Sequence, residues 1–328
     1  MSEQTKTINR CFTKIVTCYI LTLTVWESVS AQFEKISSSI EKQSFMYAVK
    51  DSNSLGLDIY KLRSFDSVTK KPCVIFVFGG AFVGGRRDDS TYNKYFNNLV
   101  ENNYVVVSIT YRLGLKGVKN ISKFNIKPLR IAVDMAVDDV YDATNWIISH
   151  ANRLGIDTSK IILSGSSSGA ITVLESDFKR RNEDSSSNKL PLHFEYAGVI
   201  AFSGAVLSFE WGIKYHLAPA PTLMFHGTSD KIVPYNKIRF LNKGLFGSAW
   251  LANVFRKNNY PYYLFSEEGM GHEISVLPMY ENIPLILDFL DNFVIRQKPY
   301  QINTNFKNPD AKPMMLLTSK ELFEKLQH

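Results

Sequence analysis

The pentapeptide GSSSG at residues 165–169 restricts the fold of this chain more than any other stretch of its sequence. It follows the short apolar run 160–164 and precedes a predicted helix that starts at Ala170. The pattern is G-x-S-x-G with Ser167 at its centre, and between a strand and a helix it indicates a sharp turn that presents the serine hydroxyl. Glycine is needed because such a turn leaves no room for side chains two positions before and after the serine. The context predicts a fold of alternating strands and helices, with Ser167 as a candidate nucleophile.

Apolar or alternating runs predict eight strands along the chain, at residues 44–49, 57–62, 73–78, 104–109, 161–163, 197–202, 222–225 and 262–265. Most of them are continuously apolar, which is typical of strands covered on both faces and hence of a parallel sheet. The first two surround the turn 51–54 and predict an antiparallel hairpin. Helical periodicity lies between later strands, at residues 92–101, 128–151, 248–257 and 283–293. We therefore predict an α/β fold with a mostly parallel eight-stranded sheet, helices on both faces and an antiparallel N-terminal hairpin.

The first 31 residues have the pattern of a secretory signal peptide. Basic residues precede the apolar run 15–26, and a V-x-A pattern ends at Ala31. The run has 12 residues, whereas a membrane-spanning helix needs about 20, so we expect no stable membrane span. An uncleaved anchor is the alternative. The prediction is a signal peptide at 1–31, a catalytic domain at 32–298 and a C-terminal extension at 299–328, in a secreted or periplasmic protein.

Cysteine content and charge narrow the class of protein further. Cleavage after Ala31 would remove Cys11 and Cys18 and leave Cys73, which lies in an apolar strand and is expected to be a buried structural thiol. The net charge is +7, but acidic and basic residues are interspersed and no long basic stripe occurs. Nucleic acid is therefore not a predicted partner.

A serine hydroxyl needs a base to accept its proton and a carboxylate to orient that base. In the strand–turn–helix architecture these groups follow in the order serine, acid, histidine. His272 lies in a glycine-flanked loop after the last predicted strand and is the candidate base. Asp230 is the only carboxylate in the loop after strand 222–225 and is the candidate acid. His226 is expected to be structural, and its use as the base is the less favoured alternative because it precedes the acid.

The segment FGGAFVGG at 78–85 supplies the third requirement, backbone N–H groups aimed at developing negative charge. Small residues directly after a buried strand let the main chain approach a substrate. We predict an oxyanion hole made by the N–H groups of Gly80, Ala81 and Ser168.

These residues resemble the α/β-hydrolase superfamily over roughly residues 45–294. More narrowly, they resemble serine carboxylesterases of the hormone-sensitive-lipase and acetyl-esterase group, and secreted bacterial acetyl-xylan and feruloyl esterases. The matching motifs are FGGAF at 78–82, YRL at 111–113, G-x-S-x-G at 165–169, H-G-x-x-D-x-x-V-P at 226–234 and G-x-G-H at 269–272. One position departs from the pattern: Phe78 stands where the group usually has a histidine, so the loop must be held by packing.

The resemblance implies ester hydrolysis through an acyl-enzyme, without metal or cofactor. Ser167 would attack the carbonyl carbon, His272 would accept the serine proton, and Asp230 would hold the imidazole. The implied substrates are small-molecule or polysaccharide-linked esters, such as acetyl-xylan and feruloyl esters. Phe82 and Trp211 are the candidates for an apolar or sugar-stacking substrate pocket.

Two other functions are compatible with these motifs. A prolyl-oligopeptidase-type serine peptidase shares the order of the triad, and its acidic groups often bind a substrate amine. Asp138, Asp139 and Asp142 on the long predicted helix are the acids available here, although a solvated helix face is the simpler interpretation. A non-catalytic binding protein on the same fold would be expected to lack part of the triad.

Overall fold

The computed structural model describes residues 39–63, 69–118 and 126–315, together with residues 318, 321 and 322. The predicted signal peptide and its alternative as an anchor lie outside the described residues. The strands are β1 Ile40–Lys50, β2 Asn53–Leu62, β3 Lys71–Val77, β4 Val105–Ile109, β5 Ile156–Ser166, β6 Gly198–Phe202, β7 Ala205–Ser208, β8 Thr222–Gly227, β9 Lys237–Phe240, β10 Lys243–Gly247, β11 Tyr262–Glu267 and β12 Gln301–Phe306. The α-helices are α1 Asn93–Glu101, α2 Lys127–Leu154, α3 Ser168–Arg181, α4 Ser248–Lys257, α5 Pro278–Glu281 and α6 Ile283–Phe289.

The main sheet is mixed and mostly parallel, which confirms the predicted class of fold. Its strand order is β1-β2-β4-β3-β5-β6-β8-β11-β12. β1 pairs antiparallel with β2, and β2 pairs antiparallel with β4, while every pair from β4 to β12 is parallel. The N-terminal hairpin therefore adds two antiparallel strands to one edge of a parallel sheet.

The sheet has nine strands, not the eight that the sequence predicts, because β12 joins its far edge. β12 belongs to the segment predicted as a C-terminal extension, and it pairs in parallel with β11 along its whole length. Its residues, QINTNF, are largely polar and exposed. An edge strand is hydrogen-bonded on one side only and need not be buried, so it carries no apolar signal in the sequence.

The core lies on both sides of the parallel strands. In β3, every residue from Cys73 to Val77 is fully buried, so both faces of this strand are covered. On one face, the ring of Phe76 contacts Tyr92, Tyr95 and Phe96 at the start of α1, with centroids 4.6–6.0 Å apart. Continuous burial of this kind requires an unbroken apolar run, which is the pattern that the sequence shows.

Cys73 is buried as expected, and burial raises the pKa of its thiol far above the ordinary range. A thiol held in its neutral form is a poor nucleophile, which fits a structural role. Within the described part of the chain, no helix combines the length and the apolar character needed to cross a bilayer.

A second, three-stranded antiparallel sheet with the order β7-β10-β9 lies in the segments that follow β6 and β8. None of these three strands is among the eight that the sequence predicts. β9 is exposed along its whole length, whereas β7 is buried. This small sheet leaves the main sheet at the carboxyl ends of its parallel strands, the edge at which α/β folds place their functional groups.

Candidate active site

Ser167 lies at the sharp turn between β5 and α3, in a backbone conformation that few residues adopt. Its φ and ψ angles are 54° and −118°. A Cβ atom on Gly165 would lie 2.4 Å from the carbonyl oxygen of Gly169, and one on Gly169 would lie 2.0 Å from that of Val77. Both distances are far below van der Waals contact, so the two glycines of the motif are steric requirements of the turn. The sequence predicts this geometry from the pattern alone.

The three predicted triad residues are brought together by three separate loops. The Oγ atom of Ser167 is 2.7 Å from Nε2 of His272, and Nδ1 of His272 is 2.7 Å from Oδ2 of Asp230. The two residues of the first pair are 105 positions apart in the sequence and those of the second pair 42, so both hydrogen bonds are tertiary contacts. Ser167 is only 9% exposed and His272 is 3% exposed. The arrangement can pass a proton from the serine hydroxyl to an oriented imidazole.

Asp230 is held as a carboxylate by a dense set of donors. Its Oδ1 atom accepts hydrogen bonds from the backbone N–H groups of Ile232 and Val233, at 2.8 and 3.0 Å. Burial by itself would raise its pKa, but hydrogen bonds and charge from His226 and His272 outweigh burial and hold the pKa well below its ordinary range. Asp230 is therefore a fixed negative charge beside the imidazole.

His226 lies beside the same carboxylate but faces away from the serine. Its Nδ1 atom is 2.8 Å from Oγ of Ser248, and its Nε2 atom is 3.2 Å from the carbonyl oxygen of Val233. Nε2 also lies 3.4 Å from Oδ2 of Asp230. Through its two ring nitrogens, His226 thus links β8 to the loop that contains Asp230 and to the start of α4. This is the structural position that the sequence analysis expects for His226.

The loop after β3 has the backbone conformation needed to present its N–H groups. Gly80, Ala81 and Phe82 all have positive φ angles, of 133°, 55° and 58°. Among the described residues, the hydrogen bonds of this loop run from Val83 and Gly84 back to the carbonyl of Gly80, and none uses the N–H groups of Gly80 or Ala81. Ser168 occupies the first turn of α3, where backbone N–H groups lack a partner within the helix. No described residue accepts a hydrogen bond from these three N–H groups.

Tyr111 links the two halves of this predicted oxyanion hole, a role that sequence reasoning missed. Its hydroxyl donates to the carbonyl oxygen of Phe78 at 3.1 Å and lies 3.3 Å from Oγ of Ser168. Its ring packs against Phe78 with centroids 4.6 Å apart. Phe78 is 1% exposed, so the loop is held by packing where the related group has a histidine. The YRL motif was the available signal, but a motif does not show what a tyrosine hydroxyl contacts.

The two predicted pocket residues lie in different surroundings. Phe82 is 2% exposed and packs edge-on to Tyr111, with centroids 6.2 Å apart. Trp211 is 70% exposed and lies beside the small sheet, where the guanidinium of Arg239 covers one face of its ring at 5.0 Å. A shallow cavity of about 430 Å³ opens beside Trp211, lined by residues 209–214 and Asn242. No contact joins the two aromatic residues in the described structure.

The acids on α2, which we call the α2 acidic cluster (Asp138, Asp139 and Asp142), are neutralised by basic side chains. Arg112 contacts Asp138 and Asp139 at 2.9 and 2.8 Å. Lys50 bonds to all three carboxylates, and Lys189 to two of them. The carboxylates lie close enough together to ligate a cation. Because ammonium and guanidinium groups already fill that position, the donor set is that of an ion-pair network.

Comparisons with known proteins agree with this geometry. The family model BD-FAE matches residues 57–207, which include β3, the predicted oxyanion loop and the elbow. The chain is 30% identical over 121 residues to acetylcholinesterase 1 of Caenorhabditis briggsae, and 27% identical over 117 residues to esterase LipI of Mycobacterium tuberculosis. These stretches are 36% and 35% of this chain. The matched part spans only 18% to 31% of the length of the curated relatives.

Solved structures of Thermogutta terrifontis esterase 2 share most of the fold. The propionate-bound form has a TM-score of 0.59 and 19% identity, and the alignment covers 76% of this chain and 94% of that one. The form phosphorylated by paraoxon has a TM-score of 0.55, with coverage of 77% and 94%. At this identity the likeness establishes the shared fold. These alignments cover a larger share of the chain than the family-model match to residues 57–207.

Proposed function

We propose that this chain is a serine carboxylesterase of the α/β-hydrolase superfamily, which hydrolyses carboxylic esters through an acyl-enzyme. The observation that carries the proposal is the hydrogen-bonded series from Ser167 through His272 to Asp230, with the serine at a strained elbow. The names of the curated relatives, an acetylcholinesterase and two esterases among them, support the same chemistry.

The reaction follows from the positions of the three side chains. Oγ of Ser167 attacks the ester carbonyl carbon while its proton passes to Nε2 of His272, and the carbonyl π electrons move to oxygen. Collapse of the tetrahedral intermediate expels the alcohol, which takes the proton from His272. A water molecule then attacks the acyl-enzyme with His272 again as the base, and the acid leaves as Ser167 regains its proton. Asp230 stays ionised throughout and stabilises the imidazolium.

The negative charge on the carbonyl oxygen is stabilised by backbone N–H groups. We assign this role to Gly80, Ala81 and Ser168, because their N–H groups have no partner among the described residues and belong to the two segments that meet at the nucleophile. Donors already fixed in place need no reorganisation when the charge develops, which is why such groups lower the barrier effectively.

The proposed substrates are esters of small acids, free or linked to a polysaccharide. The nearly complete burial of Ser167 and His272 supports a narrow acyl site. The T. terrifontis enzyme has been solved with propionate and with butyrate bound, which supports short acyl groups in a protein of this fold. Phe82, buried beside the oxyanion loop, is the better placed of the two pocket candidates.

The same proposal includes export of the protein. The basic start, the apolar run 15–26 and the V-x-A pattern support cleavage after Ala31 and a secreted or periplasmic location. N-terminal sequencing of protein recovered from the medium or periplasm would be expected to begin at Gln32. Recovery of the intact N-terminus in the membrane fraction would instead favour the anchor.

The peptidase alternative loses its one specific support. The carboxylates of the α2 acidic cluster are paired with Lys50, Arg112 and Lys189, so they are not available to bind a substrate amine. The binding-protein alternative predicts a broken triad, whereas all three side chains are present and hydrogen-bonded.

The decisive experiment combines labelling with one substitution. We expect paraoxon to phosphorylate Ser167, and peptide mass spectrometry distinguishes it from Ser166 and Ser168. Ser167→Ala should lower kcat for p-nitrophenyl acetate by about five orders of magnitude because the nucleophile is lost. Its melting temperature should stay nearly unchanged, which serves as the folding control.

The substrate class is tested by comparing p-nitrophenyl esters from acetyl to decanoyl, acetylated xylan, methyl ferulate and a proline anilide. We expect the highest kcat/KM for short acyl esters and little cleavage of the anilide. Retained turnover in Ser167→Ala, or amide cleavage without preference for esters, would overturn the proposal.

A further inference from the structure

The small sheet carries an exposed apolar surface that the triad does not use. We call it the hairpin surface, made of Trp211, Ile238, Phe240 and Leu241. These side chains are 70%, 63%, 51% and 67% exposed. Scattered exposed apolar residues are ordinary, but four large ones on one hairpin and the adjoining loop indicate an interaction site.

The register of the sheet aligns this surface. Ile238 pairs with Leu245 of β10, which in turn pairs with the buried Leu207 of β7. Phe240 lies two residues from Ile238 and therefore on the same face of β9. An apolar row thus runs from the core to the exposed edge strand, where it ends at the turn containing Leu241. The exposed apolar side chains of this sheet thus lie on its edge strand and in the turn that follows it.

The same hairpin is strongly basic. Lys237, Arg239 and Lys243 lie within seven residues, and the sequence contains no acidic residue from Lys231 to Ser266. None of these three cations takes part in an ion pair found in the described residues; Lys237 and Arg239 instead lie over the rings of Trp250 and Trp211. Glu210 is the single acid in the neighbouring cavity. The hairpin therefore presents uncompensated positive charge around an apolar tip.

The hairpin surface lies at the active-site edge of the molecule. β7 begins at Ala205, three residues after Phe202, whose carbonyl accepts the N–H of Ser167. β10 leads through Gly247, which packs against the carbonyl of Pro234 just after the Asp230 turn. These ends of β7 and β10 are therefore joined to the segments that hold Ser167 and Asp230.

We propose that the hairpin surface docks onto an anionic lipid surface, with its apolar tip among the acyl chains and its cations at the headgroups. Clustered basic residues beside apolar side chains are the combination that binds anionic bilayers. Nucleic acid and acidic polysaccharide would use the cations but offer no apolar layer for Ile238 and Leu241, which cannot form hydrogen bonds. This docking is independent of the ester hydrolysis proposed above and does not require Ser167.

The test uses the purified chain with two kinds of vesicle, one of phosphatidylcholine alone and one of phosphatidylcholine with about 30% phosphatidylglycerol. Co-sedimentation should occur with the anionic vesicles only. It should weaken in about 0.5 M salt, because salt screens the charges. Lys237→Gln and Lys243→Gln should each weaken partitioning about fivefold. The double variant Ile238→Ser, Leu241→Asn should weaken it at least about tenfold by removing the apolar tip. Asn is tolerated at position 241, where φ is 54°.

Matched controls separate this surface from general stickiness. Leu192→Ser removes a side chain that is 81% exposed elsewhere and should leave vesicle binding unchanged. Hydrolysis of soluble p-nitrophenyl acetate by the hairpin variants reports that they are folded, and Ser167→Ala should bind vesicles like the parent chain. Failure to bind anionic vesicles, binding unaffected by the double variant, or equal loss in Leu192→Ser would each overturn the proposal. Tighter binding to polygalacturonate that depends on the lysines alone would overturn it in favour of an acidic polysaccharide.

Discussion

The loop after β8, which contains Asp230, and the α2 acidic cluster each contain a buried carboxylate with close partners, yet the chemistry of the two carboxylates differs. Asp230 lies 2.7 Å from the imidazole of His272. Asp139 is equally buried and accepts from the guanidinium of Arg112 and the ammonium of Lys50. The first partner is an imidazole, whose second ring nitrogen can accept the proton of a serine hydroxyl, whereas ammonium and guanidinium groups are donors only.

The difference shows what makes a buried carboxylate functional. The charge of Asp139 is matched by permanent positive charge, so the network joins β1, the segment after β4 and α2 and transfers no proton. The charge of Asp230 is matched by a group that becomes charged only when it accepts the proton of Ser167. Burial and close contacts are common to both, and the identity of the partner decides the role.

Among the carboxylate substitutions, the largest expected effect comes from Asp230→Asn. Asparagine can keep the hydrogen bonds from Ile232 and Val233 through its oxygen, but its amide would donate toward Nδ1 of His272. This favours the wrong imidazole tautomer, so kcat for p-nitrophenyl acetate should fall about 10⁴-fold while the fold persists. Circular dichroism and melting temperature are the controls. A kcat within about tenfold of that of the parent would show that Asp230 is no more catalytic than Asp139.

The matched substitution Asp139→Asn should have the opposite profile. It removes the fully buried carboxylate of the network, while Arg112 and Lys50 keep Asp138 as a partner, and should lower the free energy of unfolding in urea by about 1–3 kcal/mol. The kcat of the remaining folded enzyme should be close to that of the parent. Asp142→Asn removes a partly exposed carboxylate of the same cluster and should cost about 1 kcal/mol, which keeps the comparison measurable if Asp139→Asn does not fold. A selective loss of kcat without loss of stability would contradict the structural role.

Glu175 on α3 is a third buried carboxylate, and unlike Asp139 it has no close cation. One carboxylate oxygen accepts the N–H of Leu207, and Nη1 of Arg130 lies 3.9 Å from the other. Burial raises its pKa from 4.5 to about 7, and the charge of Arg130 offsets this only in part. Between these values the folded chain holds a proton that the unfolded chain releases, so its contribution to stability falls as pH rises.

Glu175→Gln removes this titration. The stability advantage of the variant over the parent should therefore grow by about 2 kcal/mol between pH 5 and 7.5. Urea unfolding of both proteins at the two pH values measures it. A difference that does not change with pH would show that Glu175 is ionised throughout.

Much of the fold could be predicted because the parallel strands are buried on both faces. Residues 73–77 and 105–109 are continuous apolar runs, and helix 248–257 matches its predicted bounds. β12 and β9 were missed for the same reason in each case. Both are exposed strands that backbone hydrogen bonds hold against a neighbour, so neither needs an apolar pattern.

The residues of the candidate site also fall into two groups, those that local sequence identifies and those whose contacts depend on tertiary packing. Ser167, Asp230 and His272 each lie in a turn with a short, specific pattern of glycines and polar residues, so local sequence identifies them. Tyr111 and Trp211 show the limit of such patterns. The hydroxyl contacts of Tyr111 depend on how β3 and α3 pack, and the exposure of Trp211 depends on a sheet formed by distant segments.

The sequence by itself determined the elbow, because a turn that brings Gly165 and Gly169 into backbone contact admits no larger side chain at either position. It also determined the order of buried strands and helices, since continuous apolar runs can only be satisfied inside a covered sheet. Tertiary structure alone decided the partners of Asp139, for which the sequence allows either a substrate amine or a solvated helix face. Asp139 and Asp230 are alike in type and burial, and only the folding of distant segments places Arg112 beside one and His272 beside the other.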